Sequence, residues 1–158
     1  TPLMEVWGRK RLLLTGIGGM LGSGLVLTCA LVAKAGGAAS GPLVDAAAVG
    51  SVLAFVAFFE LGPGPIPWQI GSEIFPEEPR AAAMGACAAL NWLCNAAVGL
   101  GFPPMQRMLG SLAFVPFCAV LACWLRLTAV YVPETKGRSV AQVQLEFQRM
   151  AGAVHKGA

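Results

Sequence analysis

The chain has 158 residues, of which 56% are hydrophobic and 12% charged, with a formal net charge of +3. An ordinary soluble domain carries roughly a quarter charged residues, so this composition excludes a water-soluble globular protein and predicts an all-α membrane protein. Lys and Arg gather at the flanks of apolar stretches and form no separate basic stripe, which gives no support to a nucleic-acid partner.

Thr1 to Arg11 reads as the basic end of a cytoplasmic loop. Leu12 to Ala33 carries no charge and reaches the length of about 20 residues that a helix needs to cross a hydrocarbon core. It is too long for the apolar part of a signal peptide, and further spans follow. Gly18 and Gly22, one helical turn apart, predict a close approach to a second helix. Gly16-x-Gly18 has Leu21 where a dinucleotide fingerprint needs glycine, and no strand precedes it, so no cofactor is read from it. Lys34 to Asp45 is a short external turn region.

Ala46 to Gly71 is apolar except for Glu60, which Pro63, Pro65 and Pro67 follow. A charge near the bilayer centre costs about 2.5–3.5 kcal/mol on insertion scales. Each proline lacks a backbone donor and frees a carbonyl one turn earlier, which lipid cannot satisfy. This span is therefore predicted to break between Gly62 and Pro67, with Glu60 facing the bundle interior and a wet path.

A charged loop containing Glu73, Glu77, Glu78 and Arg80 leads to the third span, Ala81 to Gln106. Asn91 and Asn95 lie four apart, so a helix places both amides on one face beside Trp92. Pro103, Pro104 and Arg107 predict an external turn. The fourth span, Met108 to Val132, carries only Arg126, read as snorkelling to the interface, and ends before Pro133. In the polar tail 133–158, Ser139 and Gln142 make a capping-box pattern. Val140, Val143, Phe147 and Met150 trace one stripe, which predicts a short amphipathic helix over 139–150.

The domain reading is thus a cytoplasmic segment 1–11, a four-span bundle over 12–132 (12–33, 46–71, 81–106 and 108–132), and a cytoplasmic tail. Arg9, Lys10, Arg11, Arg80, Lys136, Arg138, Arg149 and Lys156 fall on one side of such a bundle, and Lys34 and Arg107 on the other. By the positive-inside rule both termini are cytoplasmic. The five cysteines all lie within apolar spans without metal-ligand spacing, so neither a disulfide framework nor a metal site is expected.

Glu60 can accept hydrogen bonds from a polyhydroxylated ligand or, structurally, be tied to backbone freed by the prolines. Trp68 and Trp92 can be interfacial anchors; alternatively, an indole face suits the CH face of a sugar. Asn91 and Asn95 can join helices, or donate to and accept from a hydroxyl. The single histidine, His155, lies in the tail and no membrane-embedded pair of acids exists, so an enzyme is not expected.

Glu60 to Trp68, Glu73-x6-Arg80, Asn91-Trp92 with Asn95, and Val132-Pro133-Glu134-Thr135-Lys136-Gly137-Arg138 together resemble the sugar porter family of the major facilitator superfamily. The resemblance is nearest to the class I facilitative glucose transporters, and Glu5-x2-Gly8-Arg9-Lys10 also fits. It implies the last four spans of a twelve-span plasma-membrane transporter, partnered by the bilayer and by eight further spans. Glu60, Trp68, Asn91, Trp92 and Asn95 would bind a hexose. Arg9, Glu73, Arg80, Glu134 and Arg138 would form a cytoplasmic gate of separable ion pairs. The loop Phe75 to Ala81 departs from the family in lacking a proline after Arg80 and in its added acids. The implied activity is uniport of glucose or a related hexose by alternating access, with the chain inactive alone. The alternatives are proton-coupled sugar symport and a four-span structural protein.

Overall fold

The computed structural model describes residues 7–37, 41–134, 136–137, 142 and 145, and all regular structure among them is helical. Helix α1 (Arg9–Ala35) is the central one. Its Leu12, Leu13, Ile17 and Met20 form the core with Ile66, Ile70 and Leu121, and Phe55, Phe58 and Leu125 pack around them. The apolar residues of α1 recur at three- and four-residue steps, so one helix can feed two neighbours at once.

Helix α2 (Pro42–Leu61) returns across the bundle, starting on a proline whose missing N–H is no loss at that position. Lys34 in the last turn of α1 meets Asp45 in the first turn of α2 at 2.5 Å. Each charge sits at the helix end whose dipole favours it. The predicted break is present: α2 stops at Leu61, Gly62 to Pro65 form a turn, and α3 (Ile66–Ile74) resumes.

The close approach of α1 and α2 occurs in a different register from the expected one. Gly18 and Gly22 face open space. A Cβ on Gly16 would lie 2.5 Å from Pro63 Cδ and 2.9 Å from the Phe58 carbonyl, and one on Gly19 would overlap the Phe58 ring. A Cβ on Gly62 would lie 2.7 Å from the Leu12 carbonyl. The broken elbow of the second span is therefore seated in the Gly16 side of α1, and glycine is required on both partners.

Helix α4 (Glu77–Leu109) runs straight through Pro103 and Pro104, where a turn was expected. Proline has the φ of a helix, so the helix continues although the carbonyls of Gly99 and Leu100 each lose the N–H four residues on. The chain turns instead at Gly110, whose φ of 55° suits glycine. A 3₁₀ turn (Gly110–Leu112) follows, and α5 (Val115–Tyr131) begins with Pro116 in its first turn. Met108 to Phe114 thus lies outside the last helix rather than opening it.

Three helical stretches, Arg9–Ala35, Pro42–Ser72 with its break, and Glu77–Leu112, are long and apolar enough to cross a membrane. Helix α5 has 17 residues, about 26 Å at 1.5 Å per residue, just under a typical hydrocarbon core of about 30 Å. Helix α4 buries none of its described residues and meets the others chiefly at its ends. One contact is Met84 against Gly71 of α3. The other is Phe102 against Phe114 and Phe117, with ring centroids 5.6 and 6.0 Å apart. The expected tail helix over 139–150 lies outside the described residues, apart from Gln142 and Leu145, which are helical.

Candidate functional site: the broken span and the asparagine helix

The elbow after Glu60 rearranges backbone hydrogen bonds because its prolines cannot donate. Phe59 O, which would meet Pro63 N in a continuous helix, accepts instead from Gly64 N at 2.8 Å and Gly62 N at 3.3 Å. Ile66 N then reaches Gly62 O at 3.1 Å and restarts the helix. The carbonyls of Leu61 and Pro63 have no N–H four residues on, since those positions are Pro65 and Pro67. Both acceptors follow Glu60 in the chain, and they are carbonyls of the kind that the prolines predict to be freed. Gly62 and Pro63 are buried against α1, while Glu60 is exposed rather than packed into the interior of these helices. Trp68, in the first turn of α3, is 40% exposed.

Asn91, Trp92 and Asn95 lie together on α4, and all three are exposed, Trp92 at 71%. Asn95 Nδ2 donates to Asn91 O at 2.9 Å, which confirms their common face. That bond leaves the Asn91 side chain and the Asn95 carbonyl oxygen available to hydroxyls. Helix α3, carrying Trp68, touches α4 near Gly71 and Met84, but the Glu60 elbow and the asparagines are on separate helices that do not close around a common pocket.

The other cluster joins the two ends of the bundle. Glu134 Oε1 accepts from Arg9 N at 2.9 Å and Lys136 N at 3.1 Å, and Oε2 accepts from Lys10 N at 3.2 Å. Helix α1 opens on three cations and has no acid in its first turn, against the preference of its dipole. Glu134 supplies the missing negative charge and caps the helix from 125 positions away. Gly8, at φ 83°, makes room, since a Cβ there would collide with the carboxylate. Lys10 Nζ also donates to Ala129 O at 2.8 Å, a contact with no local sequence signal. Arg9 and Glu134 are thus brought together through main-chain N–H groups. Arg80 Nε stays in its own loop, on Phe75 O at 3.1 Å. The side chain of Glu73, and Arg138, lie outside the described residues.

A cavity of about 430 Å³ opens between α1, α2, α4 and α5, walled by Leu27, Phe55, Phe102, Phe117 and Leu121 among others. Its two hydroxyls are already committed: Ser23 Oγ donates to Gly19 O at 2.8 Å and Ser51 Oγ to Ala48 O at 2.7 Å. A ligand rich in hydroxyls would lose its hydrogen bonds there, so this cavity is no site for one.

Comparison with known proteins agrees with these features. The family described as "Sugar (and other) transporter" matches residues 1–147. The facilitated glucose transporter member 4 of solute carrier family 2 from Mus musculus is 39% identical over 147 residues, covering 93% of this chain and 28% of that protein. Member 3 from Homo sapiens is 40% identical over 156 residues, covering 98% and 31%. Among solved structures, the proton:xylose symporter XylE bound to 6-bromo-6-deoxy-D-glucose superimposes with a TM-score of 0.76 at 27% identity, over 91% of this chain and 30% of that one. A double-Trp mutant of XylE gives 0.78 at 26% identity, again over 91% and 30%. The chain therefore spans less than a third of the length of the relatives it matches. With a broken second span, an asparagine-bearing third and a Glu134 motif folded back on Gly8-Arg9-Lys10, this chain belongs to the sugar transporter family of the major facilitator superfamily.

Proposed function

We propose that these residues form the C-terminal part of a hexose uniporter that works by alternating access. The observation that carries this reading is the break at Gly62–Pro65, which leaves Glu60 exposed and frees the carbonyls of Leu61 and Pro63 from N–H groups four residues on. Broken helices of this kind build the midplane sites of transporters. In this reading Glu60, Asn91 and Asn95 satisfy sugar hydroxyls while Trp68 and Trp92 cover apolar ring faces. No bond is made or broken, and the concentration gradient sets net direction. The exposure of all five residues fits a site completed by further spans, so the 158 residues alone supply one side of it and do not transport. The plasma membrane is the proposed location, with both termini cytoplasmic.

The test replaces the matching segment of the mouse member 4 transporter with this chain and introduces Asn91→Ala or Trp92→Ala. Hexose uptake should fall about tenfold or more while surface labelling changes little. Parallel losses of uptake and surface labelling would identify a packing role instead. Proton-coupled symport is the second reading, favoured by the likeness to a proton:xylose symporter. Adding sugar to cells carrying the chimera should leave external pH unchanged for a uniporter, and raise it for a symporter.

A further inference from the structure

We propose that Met84, seated in the notch that Gly71 leaves on α3, is a positioning residue for the hexose: it sets where the asparagine face of α4 stands relative to the broken span. Gly71 has no side chain where the sulfur lies, since a Cβ there would come 2.7 Å from Met84 Sδ. A methionine thioether adapts to such a gap, and here it joins two helices that carry different parts of the candidate site. Trp68 is three residues before Gly71 on α3, close to one turn away. Asn91 is seven residues beyond Met84 on α4, two turns along.

Helical phase shows which way the asparagines turn. At 3.6 residues per turn, steps of seven and eleven residues return to within about 20° of the starting direction, and a step of eighteen returns to it. Met84, Asn91, Asn95 and Phe102 therefore lie on one stripe of α4. Both ends of that stripe are contacts, Met84 at Gly71 and Phe102 against Phe114 and Phe117. Val98, on the flank of the same stripe, walls the apolar cavity with Val52 and Phe55 of α2. The asparagine face is thus the face that α4 turns toward the other helices. Every residue from 89 to 101 is exposed, so α4 stands off the bundle over that length and its end contacts set the gap. Asn91 and Asn95 each lie seven residues, about 10 Å, from the nearer of them. The Phe102 cluster binds α4 to its neighbour across the Gly110 turn, whereas the Met84–Gly71 contact ties it to the broken span itself. A shift of about 1 Å in a positioning contact is enough to change how a ligand is held. This role rests on the hexose reading of the site.

The test measures uptake of labelled D-glucose over a range of concentrations by the mouse member 4 transporter carrying this chain as its matching segment. Gly71→Ala and Met84→Ala should each raise KM about threefold or more, while the maximal rate per surface-labelled molecule changes by less than about twofold. Residues in contact do not act independently, so the double variant should raise KM no further than the worse single one, where independent effects would multiply to about ninefold. Met84→Leu conserves volume and should keep KM near the parent value. Gly85→Ala should do the same, because its Cβ meets nothing within 4 Å. Were Gly71→Ala to fail to reach the surface, the contrast between Met84→Ala and Met84→Leu decides. An unchanged KM in Met84→Ala, or single effects that multiply in the double variant, would overturn the proposal and leave the hexose reading standing. A parent chimera without saturable D-glucose uptake would overturn both.

Discussion

Glu134 Oε1 lies 2.9 Å from the backbone nitrogen of Arg9, and that bond ties the segment after the last helix to the first turn of the first. Because the partners are main-chain N–H groups of Arg9, Lys10 and Lys136, the contact depends on where α1 starts and little on which side chains follow. It acts between the start of α1 and the segment that follows α5. It holds these two segments together through main-chain groups.

Removing the carboxylate should destabilise this end. Losing a helix cap costs about 0.5–2 kcal/mol, so Glu134→Ala should lower the melting temperature of the purified chain, followed by fluorescence-detected gel filtration. Glu134→Gln, which keeps acceptor oxygen but no charge, should lower it less. Gly8→Ala should resemble Glu134→Ala, because its Cβ would displace the same carboxylate and its φ of 83° penalises alanine.

The glycines of α1 should sort by register. A methyl on Gly16 meets Pro63 Cδ at 2.5 Å, and overpacking of this kind costs about 1–3 kcal/mol. Gly16→Ala should reduce the melting temperature of the 158-residue chain, whereas Gly18→Ala and Gly22→Ala should be neutral or mildly stabilising, since nothing lies within 4 Å of either Cβ and alanine is the better helix former. A larger loss from Gly18→Ala than from Gly16→Ala would contradict the observed packing.

The Lys34–Asp45 pair should matter little. Its side chains are 56% and 57% exposed, and such surface pairs contribute about 0–1 kcal/mol. Lys34→Ala should shift the melting temperature by no more than a degree or two in low salt, and by less in high salt, where the charges are screened.

The break in the second span was legible because its causes are local: glycine, three prolines and a carboxylate lie within eight residues of one another. The common face of Asn91 and Asn95 follows from helical spacing in the same way. Three features were not legible, each for a tertiary reason. The choice between Gly18–Gly22 and Gly16–Gly19 turns on where Phe58 and Pro63 arrive, which no spacing within α1 reveals. Pro103 and Pro104 signal a turn by composition, yet the chain turns at Gly110, where a positive φ and the start of a new helix coincide. The cap on α1 comes from 125 residues away, so its only local trace is a glycine ahead of three cations that lack an acid.

The candidate site itself was only half legible. Glu60, Trp68, Asn91, Trp92 and Asn95 can be nominated by residue type, and the freed carbonyls of Leu61 and Pro63 follow from the prolines four residues on, but the exposure of Glu60 and the re-bonding of Phe59 O emerge only when the turn is seen. Placing one of these acceptors out of use should therefore weaken sugar handling. Pro65→Ala restores an N–H four residues after Leu61 and should reduce uptake by a chimeric transporter several-fold at unchanged surface level.

The most direct measurement of the central claim is uptake of labelled D-glucose and L-glucose by cells that lack hexose carriers. They would express either the 158-residue chain alone or the mouse member 4 transporter with its matching segment replaced by this chain. The account predicts saturable uptake of D-glucose over L-glucose by the chimera, and none above background by the chain alone. A chimera that reaches the surface but does not distinguish D- from L-glucose, or stereoselective uptake by the chain alone, would contradict it.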